Sequence, residues 1–142
     1  MQRRKIALPA DCRGSAHGRA GPPLVVELLS PTPSFGLLGE QFPPLLERVR
    51  SEMALCLGLM HHLHVAGRQP FRNIVELLSR VAAQHVLFEY VDMKDDNLDL
   101  IDAPREISYD LDSVRAALAE RFPRIEVHDS DRPTRRLLVC SR

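Results

Sequence analysis

The sequence predicts an α/β domain with a mixed, mostly parallel sheet, and three observations support this prediction. Two short apolar runs, at 53–60 and 86–91, have the length of strands that are buried on both faces of a sheet. The segment between them, Pro70–Ala83, repeats its apolar residues at helical spacing. The last two segments, Arg124–His128 and Thr134–Cys140, are joined by a tight turn, which makes them antiparallel.

The remaining elements follow from local signals along the chain. Leu24–Leu29 is a short apolar run that predicts a strand, and two prolines in Ser30–Gly36 require a loop after it. Leu45–Arg50 follows two prolines, which a helix start tolerates, and predicts a short helix. The segment from Ser113 to Arg121 predicts a further helix, with Asp110 or Asp112 as its cap.

Length, charge and cysteine content narrow the class of protein. The chain has 142 residues with 19 basic and 19 acidic side chains, so its net charge favours neither nucleic acid nor an anionic membrane. No apolar run reaches the roughly 18–20 residues that a membrane span needs. Three cysteines, odd in number and unclustered, indicate reduced thiols of a cytoplasmic protein.

Residues 1–23 differ in composition from the rest of the chain. They are rich in Arg, Gly, Ala and Pro and have no sustained period. This composition is typical of a disordered leader, and a basic arm that binds nucleic acid is the alternative. We therefore expect one folded domain over residues 24–142.

Polar side chains stand where the two central strands end. His61 and His62 close the first apolar run, and Glu89 and Asp92 close the second. In parallel sheets, ligands bind beyond the carboxyl ends of the strands, so these residues are expected at one rim of the sheet.

Each of these residues also has a plainer interpretation. The histidines could hold a metal, line a ligand cleft, or be structural groups at the solvent-exposed end of a strand. Adjacent residues of a strand point to opposite faces, and this disfavours the binding of one metal ion by both histidines. Glu89 either forms a structural hydrogen bond or faces a cleft. No metal site is predicted, and the sequence has neither a nucleophile elbow nor a Walker loop. Cys56 lies inside a strand, where a thiolate would be desolvated, and the acidic run at 92–97 reads as a solvated loop.

The order of these motifs resembles that of a known family. The motifs are Leu24–Pro33, the run Glu52–Leu63 that ends in His-His-Leu, the run Glu89–Asp95 (Glu-Tyr-Val-Asp-Met-Lys-Asp) and the Arg-Arg-Leu-Leu of 135–138. Together they resemble the C-terminal part of class I S-adenosylmethionine-dependent methyltransferases, in particular a bacterial group with nodulation-protein-like members. The resemblance covers residues 24–142.

The resemblance implies a fold, a cofactor and a set of site residues. The strands would be the third to seventh of a Rossmann-like sheet ordered 3-2-1-4-5-7-6, with the seventh antiparallel. S-adenosylmethionine would contact Glu27, Leu28 and Ser30, and the catalytic candidates would be His61, His62 and Glu89. The Gly-rich strand and loop that hold the rest of the cofactor have no counterpart, because no Gly-x-Gly occurs in the sequence.

Two functions therefore stay open. The chain is either a methyltransferase-family domain that is inactive alone, with an unknown methyl acceptor, or a degenerate, non-catalytic binding or assembly module. In the family order the first central strand would have no neighbour on one side. We expect that edge to pair with Leu24–Leu29, with a second copy of the chain or with a complementing chain.

Overall fold

Four strands form one mixed sheet in the computed structural model, which describes residues 24–96, 98 and 109–142. The strands lie in the order β1-β2-β4-β3. β1 and β2 are parallel, and β4 runs antiparallel to both of its neighbours, so that β1, β2 and β3 share one direction. The α/β class and the mixed sheet are confirmed. The strands are β1 (Ser51–Cys56), β2 (Ala82–Val91), β3 (Arg124–Asp129) and β4 (Arg135–Ser141).

Within the described residues, three α-helices accompany the sheet: α1 (Leu45–Arg48), α2 (Phe71–Val81) and α3 (Leu111–Ala119). α1 and α2 each begin directly after a proline. α3 begins two residues earlier than its apolar stripe predicts, because Asp110, rather than Asp112, is the cap. The Asp110 side chain accepts a hydrogen bond of 2.7 Å from the Ser113 amide, and this bond lowers the pKa of the carboxyl.

The hydrophobic core lies between one face of the sheet and the helices. Alternate residues of β2 and β4 that are fully buried on this face include Val86, Phe88, Leu138 and Cys140. Helix residues that pack into the same core are Ile74, Val75 and Leu78 of α2 and Val114 and Leu118 of α3. Burial along β2 alternates from one residue to the next, so a continuous apolar run still has one buried face and one partly exposed face.

Two of the predicted strands are wrong in extent or in kind. The first central strand, predicted over 53–60, is Ser51–Cys56, because Gly58 adopts a left-handed conformation (φ 60°) that ends it. Leu24–Leu29 is not among the four strands of the sheet, and within it only Val26 has the geometry of a β-bridge. Its end is instead a turn in which the Ser30 amide donates to the Glu27 carbonyl oxygen at 3.2 Å.

Two predictions concern parts of the chain that lie outside the described residues. These are the leader over residues 1–23 and most of the irregular segment between Lys94 and Tyr109. Within the described part of the chain, no helix combines the length and the apolar character that a membrane crossing requires.

Candidate functional site

The turn after β1 passes over the carboxylate of Glu89. Gly58 sits in this turn, and a side-chain carbon at that position would lie 3.6 Å from Glu89 Oε2. Glu89 is the third residue from the end of β2. The predicted meeting of the two strand ends at one rim is therefore present for the β1 turn and Glu89.

Glu89 belongs to an ion cluster with Arg135 and Asp95, which we call the carboxylate cluster. Arg135 Nη1 lies 3.4 Å from both oxygens of Glu89, while Arg135 Nε donates to Asp95 Oδ2 at 2.9 Å. Thr134 Oγ1 donates to the same Asp95 oxygen at 2.8 Å. The side chains of Asp95 and Glu89 are only 1% and 12% exposed. The cluster ties the loop after β2 to the start of β4.

The two carboxylates of the cluster are held differently by Arg135. The hydrogen bond to Asp95 is the main reason that the pKa of Arg135 is raised above its usual value. The bonds to Glu89 are long for a charged pair, and a carboxylate can accept about four hydrogen bonds. Glu89 can therefore accept further bonds from a ligand N–H or O–H group, or face a cation.

The two histidines lie beyond β1 rather than at its end. His61 precedes a π-helical segment, His62–Ala66, and the helical backbone brings the two rings to a centroid distance of 4.3 Å. The expectation that they point to opposite faces of a strand is wrong for this reason. His62 is half-buried, whereas His61 is 6% exposed.

His61 is a neutral group at pH 7. Its pKa is lowered to about 4, mainly by burial and also by the nearby His62 and Arg135, while Asp95 acts in the opposite direction. Its Nδ1 atom is buried and makes no hydrogen bond within the described part of the chain. A neutral imidazole beside the carboxylate cluster can accept or donate one proton, which suits acid–base chemistry or ligand positioning. These roles of His61, His62 and Glu89 stay predictions.

The residues predicted to bind a cofactor lie in the turn that follows Leu24. Glu27 Oε1 accepts a hydrogen bond of 3.2 Å from the Leu29 amide, so this carboxylate stabilises its own turn. Leu28 lines a cavity of about 210 Å³ whose apolar wall it shares with Leu46, Leu63, Ile74 and Leu77. Ser30 closes the turn through its backbone. The segment thus packs beside the π-helical residues that follow His62, against α2.

Sequence reasoning missed two members of the carboxylate cluster. Asp95 was predicted to lie in a solvated loop, yet it is buried. Arg135 was noted only as part of a strand. The register of β2 against β4 pairs Val91 with Arg135 and so sets Arg135 diagonally across from Glu89. The available signal in the sequence was the charged residues that flank the apolar run of β4.

Other nucleophilic and metal chemistry has little support within residues 24–96, 98 and 109–142. No three His, Cys, Asp or Glu side chains converge there as metal ligands do. Burial raises the pKa of the Cys56 thiol to about 12, which keeps it protonated and unreactive.

Comparison of the chain with family models, with curated proteins and with solved structures gives no match.

The stability of the fold should fall as the pH drops from about 6.5 to about 4. Because the pKa of His61 is lower in the folded protein, the unfolded chain takes up its proton first and is stabilised in this window. We expect a loss of about 1–2 kcal/mol from this group, after a discount for solvent screening. Urea unfolding of wild type and His61→Gln at both pH values measures it. An equal loss in both proteins would contradict a buried, neutral His61.

His62→Ala should leave the fold intact. The ring is half-buried beside the π-helical segment, and a partly exposed side chain contributes little to the core. We expect a change of less than about 1 kcal/mol in the free energy of unfolding. A loss comparable with that of a core truncation would mean that His62 is a structural residue and not a site residue.

Proposed function

We propose that this chain supplies one half of an S-adenosylmethionine-dependent methyltransferase site. The observation that carries the proposal is the strand order β1-β2-β4-β3, with only β4 reversed. The family that the sequence resembles ends in strands ordered 4-5-7-6, with only the seventh reversed. β1, β2, β4 and β3 correspond to these four strands in order and in direction.

The chemistry at the rim is compatible with this function. Glu89, under the Gly58 turn, has free hydrogen-bonding capacity, and the neutral His61 is near Arg135 and Asp95. Methyl transfer needs a nucleophile held in line with a sulfonium, and a carboxylate or imidazole can remove the proton of that nucleophile. Glu89, with His61 or His62, is the proposed acid–base pair, and the methyl acceptor is an N–H or O–H compound.

The cofactor site needs a second wall that residues 24–96, 98 and 109–142 do not provide. A Gly-rich loop brings backbone amides close to the cofactor, and the sequence contains no Gly-x-Gly. We propose that residues outside this sequence, on the same or another polypeptide, supply that loop. Because catalysis of methyl transfer depends on positioning, the 142-residue chain alone is inactive. Its free, buried Cys56 and Cys140 suit a reducing compartment such as the cytoplasm.

A second candidate is a non-catalytic binding or assembly module with the same fold. It is favoured by the carboxylate cluster, because Arg135 neutralises part of the charge that a catalytic Glu89 would use. In such a module the cluster would only link β2 to β4. In that case Glu89→Gln would change the free energy of unfolding and would not change the affinity for the cofactor.

Calorimetric titration of the chain with S-adenosylmethionine tests how much of the site is present. We expect a weak interaction, with a dissociation constant in the millimolar range, because only one wall is available. A dissociation constant in the low micromolar range would contradict the half-site proposal. Complete absence of binding at millimolar cofactor would favour the assembly module.

A further inference from the structure

The cavity of about 210 Å³ beside α2 has an apolar interior and is open to solvent. Its wall consists of leucine and isoleucine side chains, among them Leu28 from the turn at 27–30, Leu46 from α1 and Leu77 from α2. An apolar cavity of about 150 Å³ is large enough to bind benzene. The cavity beside α2 therefore accommodates an apolar group of that size with a short chain attached to it.

Polar side chains line the cavity along one face of α2. Asn73, Glu76 and Arg80 recur every three to four residues, which is the spacing of neighbours on a helix surface. The distance along the helix axis from Asn73 to Arg80 is about 10 Å. A molecule that fills the cavity would lie along α2, with its apolar part against Leu77 and a polar group at the end where Arg80 stands.

The end of the cavity at Arg80 carries a net positive charge. The carboxylate of Glu76 accepts a hydrogen bond from Arg80 Nε at 3.0 Å and another from Arg121 Nη2 at 3.1 Å. The bond from Arg80 is the main reason that the pKa of Glu76 is lowered, so this carboxyl is ionised at pH 7. Two guanidiniums and one carboxylate leave one positive charge, and within the described residues the Nη groups of Arg80 are bonded to no acceptor. Guanidinium N–H groups with this freedom favour a carboxylate as the polar group of the ligand.

We propose that this cavity binds a small monocarboxylate with a compact apolar body, of the size of an arylalkanoate. The apolar body fills the space between Leu28, Leu46 and Leu77, and the carboxylate accepts hydrogen bonds from the Nη groups of Arg80. The Arg80 side chain is 62% exposed, so the ion pair mainly orients the ligand, and most of the affinity comes from apolar burial. A ligand of about ten non-hydrogen atoms then has a dissociation constant of about 0.1–1 mM.

The inference does not rest on the proposed methyltransferase function. Val86 and Phe88 of β2 share the core with Ile74 and Leu78 of α2, whereas Glu89 points away from that face of the strand. The two sites are therefore on different sides of β2.

Titration of the full chain with phenylpropionate, followed by backbone amide chemical shifts at pH 7, tests the proposal. The largest changes should fall on 28–29 and 73–80. Phenylpropanol, which has the same body without the charge, should bind at the same residues about threefold more weakly, and phenylpropylamine more weakly still.

Three variants separate the contributions of charge and cavity. Arg80→Gln should bring phenylpropionate and phenylpropanol to equal affinity. Leu28→Trp should abolish the binding of both, because the larger ring fills the cavity from the half-buried turn. The matched control is Arg72→Gln, since Arg72 is an exposed arginine of the same helix, and it should bind both compounds as the wild type does.

Several outcomes would overturn the proposal. One is a wild-type chain whose amides at 73–80 show no saturable change at millimolar phenylpropionate, as would occur if another part of the chain covered the cavity. Another is equal affinity for the acid, the alcohol and the amine, or the same preference in Arg80→Gln and Arg72→Gln, since either result would exclude recognition of a carboxylate by Arg80. A third is a set of changes at 57–62 and 89–95 alone, which would place the ligand at the rim of the sheet instead.

Discussion

Asp95→Ala should lower the free energy of unfolding by about 3–5 kcal/mol. Asp95 is buried and accepts hydrogen bonds from Arg135 and Thr134. Its removal takes away the buried acceptor to which Arg135 and Thr134 donate. The cost arises mainly because these poorly solvated donors lose a buried charged acceptor. Urea denaturation at pH 7 measures it.

A second ion pair on β4 provides the control. Arg136, the next residue after Arg135, pairs with Asp129 at 3.3 Å, but Asp129 is almost fully exposed. Asp129→Ala should therefore cost no more than about 1 kcal/mol. Similar losses for the two variants would contradict the view that Asp95 is a buried anchor of the rim.

Phe88→Ala should also cost about 3–5 kcal/mol. Phe88 is fully buried at the centre of the sheet, between Cys56 on β1 and Leu138 on β4. The neighbouring strands β1 and β4 prevent the cavity left by the truncation from collapsing. The loss should therefore be well above the free energy of transferring the side chain from water to an apolar environment.

Phe35→Ala is the matched truncation outside the core. Phe35 stacks on Phe42 at a centroid distance of 4.6 Å in an exposed loop. We expect a loss below about 1.5 kcal/mol, because the pair is already largely in water. If Phe88→Ala were equally mild, the core would not be centred on β2 as the burial pattern indicates.

Local patterns predicted most of the helices and strands. The helical spacing in Pro70–Ala83 and the turn before Thr134 each depend on residues close in sequence, and both elements are present. The end of β1 was missed because a single glycine, Gly58, ends the strand inside an apolar run. Leu24–Leu29 has strand composition, but its Glu27 side chain stabilises a turn instead.

The candidate site was predictable only in part. The rule that parallel strands present their ends at one rim brought Glu89 and the β1 turn together correctly. The pairing of Asp95 with Arg135 spans 40 residues and depends on the β2–β4 register, which no local pattern reveals. The burial of His61 likewise depends on the π-helical segment, a rare geometry that sequence patterns do not indicate.

The account predicts that the cofactor, however weakly held, contacts the rim formed by Glu89, Asp95, Arg135 and the Gly58 turn. Backbone amide chemical shifts of the chain, recorded with millimolar S-adenosylmethionine, locate the contact directly. The largest changes should fall on 57–62 and 89–95 and should decrease in Glu89→Gln but not in His85→Gln, which alters the opposite end of β2. No change at these residues would contradict the proposed methyltransferase half-site.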